Sequence, residues 1–106
     1  ESAGVPGLKP ANTLGFEQMF FAFQAASEGL GLAMVPLFLA IDEILAGRLC
    51  VPFGPLGIKR RTYYANHAGT QKAQALADTF CEWLEQEGRD TEQSITAWAA
   101  SQGWTL

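Results

Sequence analysis

Apolar and polar positions along the chain alternate between two rhythms. Glu17, Gln24 and Glu28 recur at helical spacing, with Phe21 on the same stripe. Met19, Phe20, Ala22, Phe23, Ala25 and Ala26 fill the remaining surface. This pattern predicts a helix over 17–28 with a narrow wet stripe, buried on most sides. Gly29 should end it in a left-handed cap, and Gly31 should allow close packing as the chain reverses. The apolar run Gly31 to Val35 then has strand length, as a parallel strand covered on both faces would. Pro36 breaks that run and suits the first turn of a helix over 37–46, stopped by Gly47.

Three further segments read as strands. They are Thr13 to Phe16, Leu49 to Val51, and Ile58 to Asn66, the last with poor alternation that suits a sheet edge. The strongest helical signal lies over 71–87, where Ala73, Leu76, Ala77, Phe80, Trp83 and Leu84 recur every three or four residues. Thr70 is its candidate N-cap and Gly88 its stop. Asp90 opens a separate helix with Ile95, Trp98 and Ala99 on its apolar stripe. Strands alternating with helices predict an α/β class with a parallel pair.

Composition narrows the functional classes. The chain has 106 residues, 48% hydrophobic and 17% charged, enough for one small core and unlike a disordered chain. Its longest apolar stretch, Leu30 to Ile41, falls short of the ~20 residues of a membrane helix. The net charge of −4 disfavours direct DNA or RNA binding. Lys59, Arg60 and Arg61 are the one basic cluster and read as a solvated strand edge. Cys50 and Cys81 sit among apolar neighbours and read as buried reduced thiols, which fits a cytoplasmic location. Opening on Glu1 and a Gly- and Pro-punctuated loop, the chain reads as a piece of something longer.

Catalytic chemistry finds no support. His67 is the single histidine, and its loop setting reads as solvated. No metal-ligand spacing appears, and no cofactor or metal is expected. Gly29 to Met34 superficially suggests a dinucleotide fingerprint, but the order is helix, glycines, strand, the reverse of what that site needs. Asp42 and Glu43 are adjacent and point to different faces of a helix. The chain is therefore not expected to be an enzyme. What remains is binding where strands end and helices begin. Phe16, Glu17, Gln18 and Met19 form one such point, and Pro36, Leu37 and Phe38 the other. Amide groups at a helix start can hold an anion or a carboxylate. Two readings of Glu17 stay open: it competes with an anion there, or it complements the helix dipole.

A family resemblance sharpens this reading. The spacing of Ala25, Ala26, Gly29, Gly31, Ala33 and Pro36, then Gly47 to Phe53 and Phe80 to Leu84, resembles the effector-binding domain of LysR-type transcriptional regulators. The subgroup of the glycine-cleavage activator looks most similar. The resemblance implies a type 2 periplasmic-binding-protein-like α/β domain, a mixed sheet with flanking helices. Residues 1–88 would be its second subdomain and closing helix, and 89–106 a C-terminal helical extension. It implies a bacterial transcription factor sensing a small metabolite effector and acting through rearrangement of a homo-oligomer. DNA would be bound only through an N-terminal helix-turn-helix outside this chain, with no membrane partner. Trp98 and Trp104 lie in the extension and are expected to pack rather than to bind. Two other readings stay open: a solute-binding half of the same fold, and a protein-interaction module.

Overall fold

The structure, a computed structural model, describes residues 7, 9–54, 63–67 and 73–106. The backbone divides into two compact units, Glu1–Phe53 and Gly54–Leu106. The first contains helix α1 (Met19–Ser27) and helix α2 (Leu37–Leu45). The second contains the long helix α3 (Gln74–Ser101).

All three helices end in the same way. After α1, Gly29 takes φ +80°, its N–H donates to the Ala26 carbonyl at 3.0 Å, and the Leu30 N–H donates to the Ala25 carbonyl at 3.1 Å. Gly47 and Arg48 repeat the pair of bonds after α2, onto the Ile44 and Glu43 carbonyls. Gly103 and Trp104 repeat it after α3, onto the Ala100 and Ala99 carbonyls. This closure satisfies the last carbonyls of each helix and needs a left-handed residue, which glycine adopts without a Cβ penalty. Gly29 and Gly47 therefore act as the sequence pattern predicts. Pro36, with φ −59° and ψ 133°, stands directly before α2.

The expected α/β architecture and its mixed sheet are not found. The described residues contain three helices and no strand. Thr13 to Phe16, Gly31 to Val35 and Leu49 to Val51 carry no ladder. Ile58 to Arg61 and Thr62 lie outside the described residues, and 63–66 is not a strand. An extended segment becomes a strand only when its N–H and C=O groups pair with a neighbour. Apolar content cannot supply that pairing. Leu32 and Met34, expected to be covered on both faces, are 80% and 86% exposed.

Two further expectations change. The helix predicted to stop at Gly88 runs through it and absorbs the segment assigned to a separate helix. Glycine in a helix interior costs only about 1 kcal/mol relative to alanine. Side-chain bonds span the position: Arg89 donates to Glu85 at 2.6 Å and to Gln86 at 2.8 Å, and Gln86 donates to Asp90 at 2.8 Å. Such pairs support a helix locally. Asp90 thus accepts from the preceding turn instead of opening a new helix. Burial is also sparser than α1's composition suggests. No residue of α1 is buried, and the core residues among those described are Ala40, Ile41, Trp98 and Ala99. Cys50 is exposed and Cys81 half-buried, both as free thiols, so the expectation of two buried cysteines fails for Cys50 and is met only in part by Cys81.

Candidate functional site

The two candidate sets occupy two helix starts in the first unit. Phe16 and Glu17 lead into α1, Gln18 is its N-cap residue with φ −116° and ψ 135°, and Met19 is its first residue. The Gln18 side chain makes no cap hydrogen bond. Its amide thus carries donors and an acceptor not spent on the helix. The first turn is closed by the Phe21 N–H donating to the Gln18 carbonyl at 3.2 Å. Phe16, Met19 and Phe20 are all exposed around this turn. At the second start, Pro36 precedes Leu37, and the Leu39 N–H donates to the Pro36 carbonyl at 3.1 Å. Pro36 and Leu37 are half-buried, and Phe38 is exposed. Neither first helical turn contains an acidic residue.

Acidic groups lie nearest in sequence to both turns, with Lys9 before the first and Arg48 after α2; the sequence pattern missed what Arg48 does. Arg48 folds back onto Glu43, its Nη2 donating to Oε1 at 2.6 Å and its Nε to the other carboxylate oxygen. The hydrogen bond from Arg48 holds the Glu43 carboxyl below its ordinary value, and the same bond raises the guanidinium. Arg48 is therefore committed to Glu43. The signal was its place in the turn after α2, where closure at Gly47 returns the chain toward the helix. In the second unit, His67 lies 3.7 Å from Asp78 through Nε2 and Oδ1, a partner its loop setting did not suggest. A shallow concave surface lies along the second half of α3, lined by Arg89, Glu92, Gln93, Thr96, Ala97 and Ala100. It includes none of the candidate residues. Among the described residues, no group of three or more His, Cys, Asp or Glu side chains is placed to hold a metal ion.

The α1 start presents the exposed side chains of Phe16, Met19 and Phe20 together with the Gln18 amide and the Glu17 carboxylate. In comparison with known families, the LysR substrate binding domain matches residues 2–89. The chain belongs to that family. Ala25 to Pro36, the residues that bear the resemblance, lie inside the matched span. The HTH-type transcriptional activator AmpR of Rhodobacter capsulatus is 31% identical over 84 residues, 79% of this chain and 28% of AmpR. The HTH-type transcriptional regulator TrpI of Pseudomonas aeruginosa is 45% identical over 40 residues, 38% of this chain and 14% of TrpI. The chain thus spans less than a third of either relative. No solved structure matches. No described helix is long and apolar enough to cross a membrane.

Proposed function

We propose that this chain is part of the small-molecule-sensing domain of a LysR-type transcription factor. In this reading it binds a metabolite effector and controls transcription through rearrangement of a homo-oligomer in the cytoplasm. The observation that carries the reading is the family match over residues 2–89. The names of AmpR and TrpI, both HTH-type transcriptional proteins, support the regulatory role. DNA contact falls to a helix-turn-helix elsewhere in the full protein, consistent with a net charge of −4 on this chain. The chain is a sensor rather than an enzyme.

Effector contact is assigned to Phe16, Glu17, Gln18 and Met19, with Pro36, Leu37 and Phe38 as the second position. The uncapped Gln18 amide supports this reading, because it is polar, exposed and unspent. Gln18→Ala in the full-length regulator should weaken effector binding by ~1–2 kcal/mol, the usual loss for a hydrogen bond to a charged or buried group. Calorimetry against a panel of amino acids and small carboxylates identifies the ligand first and then compares the variant. Unchanged affinity in a folded Gln18→Ala protein would remove the α1 start from the site.

A further inference from the structure

The family match ends at residue 89, while α3 continues unbroken to Ser101. What that continuation does is visible at its end. The closing bonds at Gly103 and Trp104 turn the chain sharply. The Trp104 indole then packs edge-on against Trp98, with ring centroids 5.4 Å apart and planes at 74°. Trp98 is buried, at 9% exposure, and Ala99 next to it at 1%. Trp104 Cε2 also lies at van der Waals distance, 4.0 Å, from where a Cβ on Gly54 would stand. Gly54 is the first residue of the second unit and holds φ +81°, so its backbone is fixed in a conformation few residues adopt. Phe53, immediately before it, is 84% exposed, whereas Gly54 itself is half-buried.

We infer that residues 90–106 are a strap. They carry a tryptophan clasp that grips the backbone at Gly54, the point where the second unit begins. The rings supply the grip without a bond: Trp98 forms the seat, and Trp104 packs on it within reach of the glycine. An edge-on aromatic pair favours one geometry over a loose apolar contact. Opening the clasp needs only the last few residues to move, because the closing turn at Gly103 is the hinge of Trp104. Helix ends are the part of a helix that opens with the least free energy. The strap thus sets whether the chain at Gly54 is held or free, while the body of α3 stays formed.

The test is nuclear magnetic resonance on the whole 106-residue chain. In the unmodified chain, the Gly54 Hα protons should show ring-current shifts and cross-relaxation with the Trp104 indole. Their absence would overturn the strap directly, whatever any variant does. In Trp104→Ala, the Gly54 shifts should move to random-coil positions and its backbone should become mobile on the ps–ns timescale. Residues 74–97 should keep their helical shifts. Unchanged order at Gly54 with a folded α3 would equally contradict the proposal.

Discussion

The two ends of α3 carry similar side chains and meet opposite fates. Leu76, Phe80 and Trp83 stand near its start at 76%, 57% and 55% exposure. Phe80 and Trp83 cover each other in part, with ring centroids 5.7 Å apart, and both stay more than half exposed. Trp98 and Ala99, near the end, are buried. Periodicity in three and four marks an apolar face at both ends. It cannot say whether the chain itself covers that face. At the end of the helix, the glycine closure brings Trp104 back onto Trp98, so cover is supplied locally. At the start, His67 comes within 3.7 Å of Asp78, yet Leu76, Phe80 and Trp83 remain more than half exposed. Burial there depends on something other than the spacing of the residues.

The largest expected effect breaks the comparison at its covered end. Trp98→Ala should cost about 3 kcal/mol, the lower part of the range for emptying an aromatic core position. Trp83→Ala, at the exposed end, should cost less than ~1 kcal/mol, as for surface positions. Urea unfolding of both variants checks this. Equal losses would mean that the two ends are covered alike.

Between the two ends lies Gly88, and it sharpens the claim that they belong to one helix. A Cβ there meets nothing within 4 Å, and Gly88 is absent from the positive-φ glycines. Gly88→Ala should therefore stabilise the chain by roughly 0.5–1 kcal/mol, through helix propensity and a less flexible unfolded state. A midpoint shifted to lower denaturant would instead indicate a break at that residue, as its position in the sequence first suggests.

These contrasts explain what was legible in the sequence. Helix positions and their glycine stops at 29 and 47 were legible because each closure depends on a few adjacent residues. The two candidate helix starts were legible for the same reason, since Pro36 and the polar pair Glu17 and Gln18 mark them locally. The expected strands failed among the described residues because a ladder depends on a distant partner, and Leu32 and Met34 carry strand-like composition without one. Gly88 misled because glycine both ends helices and is tolerated inside them. Glu43 and Arg48 lie five apart, outside the usual three-or-four spacing, so the pair that ties up the sole cation near α2 was not foreseen.

That pair gives the smallest effect, in the first unit, where α2 buries Ala40 and Ile41. The Glu43 carboxyl is held below its ordinary value of 4.5 in the folded chain. Its folded pKa is thus lower than its unfolded one, so its contribution is complete above the ordinary value and disappears as pH falls through the lowered one. Arg48→Ala should return the Glu43 titration upward toward 4.5 with little change in stability at neutral pH, because the pair faces solvent. A carboxyl-carbon titration that leaves Glu43 unmoved in Arg48→Ala would show that another cause lowers it.

The most direct test of the contrast between the two ends of α3 is the solvent contact of its tryptophans. Incorporating 5-fluorotryptophan gives three fluorine resonances, which Trp→Phe variants assign to positions 83, 98 and 104. Exchanging water for deuterium oxide shifts a fluorine resonance in proportion to its solvent contact. The resonance of Trp83 should shift strongly, that of Trp98 hardly at all, and that of Trp104 by an intermediate amount. A Trp98 shift as large as that of Trp83 would contradict the account.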